Sequence, residues 1–482
     1  MKKIDKVYRF LVYMLPAVLF FSYWPVISLG SNSAMNFELS LPLIWLVVFD
    51  VVALIIMVQK KMLFRNFGRK WAWLLFPIFI TLSVLWSMNF LRGALTAGIL
   101  WLIYVAGYAF WNLRSLFSEF GFKEKFWKVF FVSSLVVCGW CFLQCILDLA
   151  GVSQDVSLMC AGCTYEMFGF PHPNGFAIEP QFMGNLLLAP AIVAAYFLMT
   201  KVVPFKDRKL GRTALSASLK GTTLVFVLSA TIFLTFSRGA IYAFIVAMIF
   251  MVVMEGVRQK SWKVCKTFLI IAVAFLFTLN LQGIMAQVSP TNDTYATGVA
   301  KVLSHLSLGI IDVRSQNEEI LPEETEAPVS EKTDEEKEGV KKEAVFDGYV
   351  AESTDTRMRL TGAAVEVWKK DFNTVMFGVG LGGAGQALYV NGLSPAPKEI
   401  VQNEYASLLL ETGLVGVALL ILTIALIIRV MFKNAAASML LALVAAYGIT
   451  LLFFSGLPNA LHIYLLPAIF IFLCGKSSYR KR

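Results

Sequence analysis

Apolar residues arrive in long uninterrupted blocks, and short basic stretches separate them. The blocks run over 8–29, 41–59, 71–88, 93–112, 127–149, 181–200, 219–236, 239–255, 264–282, 408–431, 436–454 and 459–474. Each is close to the ~17–25 apolar residues that carry a helix across the hydrocarbon of a bilayer. The pattern therefore predicts an all-α integral membrane protein of about twelve transmembrane helices.

Composition agrees. Of 482 residues, 58% are hydrophobic and 15% charged, with a mean hydropathy of +0.69. A water-soluble chain has too few polar groups at that ratio to cover its surface, so the apolar excess must face lipid. The net charge of +10 does not point to nucleic acid, because of where it sits. With the N-terminus inside, 29 of the 42 Lys and Arg fall in cytoplasmic segments, and 11 of the remaining 13 lie in one long loop. That is the positive-inside bias, and an even helix count puts both termini in the cytoplasm. The first block follows Lys2, Lys3, Lys6 and Arg9 without a small-residue cleavage site, so it reads as a retained helix.

The chain divides into helices 1–9 over 1–282, a large extracytoplasmic loop over 283–404, and helices 10–12 with a short basic tail over 405–482. A second outer segment, 150–180, interrupts the first part. Within the large loop, 318–343 holds eleven acidic residues against four lysines. Its lack of apolar surface predicts disorder. Beyond it, Val365, Trp368 and Phe372 recur at helical spacing and predict an amphipathic helix near the outer membrane surface.

Few residues suggest chemistry. Gly380-Leu-Gly-Gly-Ala-Gly385 fits a dinucleotide fingerprint but lacks the strand and helix that make one work. It reads better as flexible backbone near a ligand or a helix break. Cys138, Cys141 and Cys145 share a helix face and read as packing. Cys160 and Cys163 form a single CxxC, weak grounds for zinc, with a disulfide as the alternative. Asp50 lies mid-way along helix 2, as a buried polar contact or a transport group. In Phe236-Ser-Arg-Gly-Ala240, Arg238 opens a helix, so a guanidinium, free amides and the positive end of a helix dipole converge as an anion site. The alternative is an arginine snorkelling to headgroups. Arg357 and Arg359 either close on the same ligand or sit on a solvated surface. His172, Glu179, Glu404 and Glu411 are the candidates for a general base.

Together these segments resemble the superfamily of bacterial O-antigen ligases and O-antigen polymerases. Phe236-Ser-Arg-Gly-Ala240 looks like its Ser-Arg-Gly turn, and Pro173-Asn174-Gly-Phe-Ala177 like its Pro-Asn-x-x-Ala stretch. An ordered train follows: Arg357, Gly378-Val-Gly-Leu-Gly382, Gln402-Asn-Glu-Tyr405 and Leu410-Glu-Thr-Gly-Leu-Val-Gly416. The resemblance implies a glycosyltransferase C-like fold in the cytoplasmic membrane of a bacterium. It also implies an inverting, metal-independent transfer of glycan from undecaprenyl diphosphate to an acceptor glycan at the outer face.

On that resemblance Arg238 and Arg357, with Arg359, hold the diphosphate. Asn174, Gln402, Asn403 and Glu411 line the substrate loops, and Glu404 or His172 takes the proton. Ligases carry histidine where this chain has Gln402, which favours polymerisation of lipid-linked repeat units, with a chain-length regulator as a candidate partner. The alternatives are a ligase and, from another class, a lipid-linked sugar exporter. An exporter calls for ionisable groups near the bilayer midplane, where Asp50 alone clearly lies.

Overall fold

A computed structural model describes the chain apart from residues 1, 24, 30–36, 64–70, 120, 153–163, 166–168, 201–213, 290–292, 309–344, 398, 457–459 and 475–482. The Cys160–Cys163 pair and the acidic stretch 318–343 lie outside the described residues.

The chain is a helical bundle. Its helices are α1 (Lys2–Leu19), α2 (Leu41–Gln59), α3 (Leu75–Ser83), α4 (Phe90–Asn112), α5 (Phe122–Leu149), α6 (Pro180–Thr200), α7 (Ala214–Leu234), α8 (Arg238–Gln259), α9 (Lys266–Val288), α10 (Tyr295–Leu306), α11 (Val345–Trp368), α12 (Phe372–Phe377), α13 (Ala384–Val390), α14 (Glu404–Phe432), α15 (Ala437–Thr450) and α16 (Leu461–Leu473). Two small antiparallel hairpins join them: β1 (Pro25–Leu29) with β2 (Phe37–Ser40), and β3 (Thr164–Tyr165) with β4 (His172–Pro173).

Every predicted apolar block carries a helix, with informative differences. Among the described residues, seven helices are long and apolar enough to cross a membrane: α2, α4, α5, α6, α8, α9 and α14. Four shorter apolar stretches accompany them: Trp71–Trp86, Gly221–Leu234, Ala437–Thr450 and Leu461–Leu473. At about 1.5 Å per residue, thirteen helical residues such as α16 reach only two thirds of a ~30 Å hydrocarbon layer. The first block ends its helix at Leu19 rather than at 29, and Pro25 opens a strand instead.

α6 is the axis of the bundle. From Met183 to Phe197 every side chain is buried, as expected of a helix that is apolar all round. Alanine and Gly184 let α8 approach closely: a Cβ on Gly184 would stand 2.7 Å from that of Ala240. By contrast α2, α8 and α9 keep rows of exposed Val, Ile and Leu, among them Val47, Val51, Val253 and Leu276. These rows are the lipid-facing surface.

At the bundle end away from α10–α13, Glu255 is fully buried and ties α8 to α15. Its carboxylate accepts from Arg258 Nη2 at 2.7 Å, Gln259 Nε2 at 2.8 Å and the Ser438 hydroxyl of α15. Arg258 also donates to the Ala435 carbonyl at 3.0 Å, and Tyr196 of α6 donates to the same oxygen at 3.3 Å. Removing the charge leaves buried donors short of an acceptor, so Glu255→Gln should cost about 1–3 kcal/mol. A thermal unfolding midpoint in lipid nanodiscs that does not fall would contradict this clamp.

Candidate active site

Two neighbouring clusters form where α8, α10, α11 and α14 meet. The first is cationic. α7 ends and the chain reverses through Phe236, whose φ of +58° is left-handed for a non-glycine residue. Ser237 then caps α8, its hydroxyl accepting from the Ala240 amide at 3.3 Å. Arg238 is thereby the first helical residue of α8, as its sequence position predicts. The dipole and the first amides of α8 favour an anion beside its guanidinium.

Arg357, on α11, is drawn in by two side chains. Its Nε donates to Gln402 Oε1 at 3.0 Å and its Nη2 to Gln181 Oε1 at 3.0 Å. Gln181 in turn donates to the Phe453 carbonyl at 3.1 Å. Glu179 lies close by, and burial raises its carboxyl above the usual range while Arg357 partly offsets the rise. Gln402 thus acts here as an acceptor for an arginine.

The second cluster surrounds a small cavity of about 40 Å³ lined by Arg92, Glu399, Glu404, Ser407, Glu411 and Ser455, among others. That is room for a few waters, not for a sugar ring. Glu404 is buried; its Oε2 accepts from Ser455 Oγ at 2.7 Å and from the Gly456 amide at 2.8 Å. Glu411 accepts from the Ala384 amide at 3.3 Å. The segment 451–456 separates the two clusters: Phe453 abuts Gly239 of α8, while Ser455 and Gly456 hold Glu404.

The glycine motif is wall rather than hinge, which corrects the expectation of flexible backbone. Gly378, Gly380 and Gly382 have φ between +72° and +86° and are buried against neighbouring backbone. A Cβ on Gly382 would stand 2.6 Å from the Gly93 nitrogen. The Val379 and Gly380 amides donate to the Leu410 and Glu411 carbonyls at 2.9 and 3.0 Å. Ser87 Oγ, in the α3–α4 turn, donates to the Leu381 carbonyl at 2.6 Å. α14 itself breaks at Gly413, φ +60°, where a Cβ would stand 2.5 Å from the backbone of Met376 and Phe377.

Other expected residues have different roles. Arg359 is exposed and makes no hydrogen bond or ion pair among the described residues, because two helical positions turn it well away from Arg357. Asn403 caps α14, accepting from the Tyr405 and Ala406 amides at 3.1 Å each. Asn174 is buried and accepts from Gln144 of α5 at 3.1 Å. His172 is buried between aromatic rings, 4.9 Å from that of Phe236 and 5.3 Å from that of Phe170. The buried face of α11 is Leu360, Ala363, Ala364 and Val367. Val365 is only half-buried, and Phe372, on α12, is 75% exposed, so the amphipathic face differs from the predicted one. Asp50 is buried without a hydrogen-bond partner among the described residues.

The sequence profile of the O-antigen ligase family matches residues 223–421. This region belongs to the O-antigen ligase family. No curated protein matches the chain. The O-antigen ligase region spans α7 to the middle of α14 and contains Arg238, Arg357, Gln402, Glu404 and Glu411. His172, Asn174 and Arg92 lie outside it. Its family connects the chain with membrane glycosyltransferases of surface-glycan assembly.

Sequence reasoning missed His305, one of three histidines in the chain. Gly298, Val302 and His305 form the buried face of α10, a spacing that reads as one helix face once 295–306 is taken as a helix. Its Nε2 lies 3.2 Å from the Phe236 carbonyl oxygen. Burial first, then the Arg238 guanidinium, push its pKa from an imidazole's 6.5 down to about 3, with His172 and Arg357 adding to the push. Folding therefore holds it neutral while the unfolded chain protonates it. Stability should fall as pH drops below about 6.5, by up to ~1.4 kcal/mol per pH unit. His305→Gln should flatten this acid-side loss. Unfolding midpoints between pH 7 and pH 5 with the same slope in both proteins would contradict it.

Proposed function

We propose that the chain polymerises lipid-linked oligosaccharide repeat units of a bacterial surface polysaccharide. In this reading it crosses the cytoplasmic membrane twelve times with both termini inside, and the clusters above face outside. The donor is a glycan on undecaprenyl diphosphate and the acceptor is the sugar hydroxyl of another lipid-linked unit. The observation that carries the reading is the chain of contacts from Arg357 through Gln181 to Phe453, which packs against Gly239 next to Arg238, in a region of the O-antigen ligase family.

The acceptor oxygen attacks the anomeric carbon from the face opposite the leaving group, and the anomeric configuration inverts. The bond from that carbon to the diphosphate oxygen breaks, and its electron pair leaves with the diphosphate. Arg238, the α8 amides and Arg357 stabilise the charge that develops there, which favours the transition state over the ground state. The acceptor proton passes to a carboxylate. Glu404 suits that step better than His172, since it lines a water-sized cavity through which a proton can pass, whereas His172 is enclosed by Phe170 and Phe236. No metal is required for this charge balance.

The second reading is a ligase. The ligase pattern carries a histidine where Gln402 stands, and a glutamine, which cannot act as a general base, supports the polymerase.

Arg238→Ala should lower polymer formation about a hundred- to thousandfold, and Arg238→Lys should restore only part of it because the planar fork is lost. Glu404→Gln should cost about 10²- to 10⁴-fold, and more than His172→Ala. The check is the polysaccharide ladder from a null strain complemented at matched membrane levels. A full ladder from Arg238→Ala would remove Arg238 from the reaction.

A further inference from the structure

The turn that presents Arg238 is held by an element outside the transmembrane bundle. Phe236, two residues earlier, adopts φ +58°, which costs a non-glycine residue about 1–2 kcal/mol. Such a conformation persists only where its surroundings impose it. The surroundings here are the His172 and Phe170 rings, 4.9 and 6.2 Å from that of Phe236, and the last turn of α10, which reaches its carbonyl. The His305 ring stacks on the Phe236 ring at 5.1 Å with planes 19° apart, and its Nε2 faces the Phe236 carbonyl oxygen at 3.2 Å. A carbonyl can only accept, so the Nε2 carries the proton and donates it.

α10 is itself fixed. Tyr242, one turn into α8 from Arg238, donates to the Leu306 carbonyl. Gly298 packs against Ala286 of α9, and Gly283 of α9 against Tyr295. The outer end of α9, α10 and the start of α8 thus form one packed unit around the turn.

We propose that His305 is the positioning residue for Arg238: its Nε2–H and its stacked ring lock the left-handed Phe236, and that lock aims the guanidinium and the first amides of α8 at one point. The lock stands on contacts alone; that the point is a diphosphate rests on the function proposed above. His305 is not the general base. An imidazole whose pKa is pushed to about 3 is a weak proton acceptor at neutral pH, and its Nε2 proton is already committed to Phe236. Arg238 and Arg357, both within electrostatic reach, oppose a positive charge on it, as does His172 when protonated.

Two variants separate the ring from the hydrogen bond. His305→Phe keeps the stack and loses the donor, whereas His305→Gln keeps a donor and loses the ring. The full chain in nanodiscs is followed by hydrogen–deuterium exchange of peptides over 233–241, and by turnover of lipid-linked repeat units extracted from the host. Losing one buried hydrogen bond, worth about 1.4 kcal/mol, should speed exchange in the turn about tenfold in His305→Phe. Turnover should fall at least about tenfold, with a smaller change in apparent KM, since the aim of Arg238 matters most in the transition state. His305→Gln should recover much of both. Unchanged exchange in His305→Phe would overturn the lock, and faster exchange with unchanged turnover would overturn the positioning of Arg238. Wild-type protein with the protected turn but no glycan transfer would sink the proposed function, while the lock stands on exchange.

Discussion

The close approach of the 378–385 loop to α14 is the constraint on which the candidate site depends. A Cβ has no room at Gly378, Gly380, Gly382 or Gly413, and the φ values at these positions lie where side chains are rarely tolerated. Backbone therefore packs on backbone. The amide-to-carbonyl bonds that result tie the loop to the start of α14, and Ser87 ties it to the α3–α4 turn. That contact brings the Ala384 amide onto the Glu411 carboxylate and the 381–385 segment onto the cavity that Glu404 lines. Glycine here serves closeness, and the cost in chain entropy is offset by burial.

Charge then sorts itself across segment 451–456. On one side Arg238 and Arg357 gather at the α8 N-terminus, with Gln181 and Gln402 orienting the second guanidinium. On the other, Glu404 and Glu411 accept from amides and a hydroxyl. Neither side is of one sign, since Glu179 lies beside Arg357 and Arg92 lines the cavity of Glu404 and Glu411, but arginine predominates in the first cluster and carboxylate in the second. In the proposed reaction the first meets a departing diphosphate and the second an incoming hydroxyl.

Much of this was legible in the sequence, because the bilayer imposes a length and a hydropathy that any spanning helix must show. The helix-opening position of Arg238 was readable too, since Ser237 is a favoured cap and the apolar block resumes just after it. What stayed hidden depends on contacts between segments far apart in the chain. Nothing near Gln402 says that it accepts from Arg357, and nothing near Asn403 but its capping chemistry distinguishes a helix cap from a substrate ligand. Arg359 looked equivalent to Arg357 because spacing of two is invisible until the helix is known. The glycine train was misread as flexible since a sequence shows missing side chains, not the backbone that fills their place.

Reconstitution tests the central claim most directly: the purified chain in nanodiscs, lipid-linked repeat units as the sole glycan, and a metal chelator present. The account predicts that glycan grows on the lipid in whole repeat units, with one undecaprenyl diphosphate released for every bond formed. Bond formation that needs a separate non-lipid acceptor would make the chain a ligase. Movement of intact lipid-linked units across the bilayer without any bond formation would contradict the account altogether.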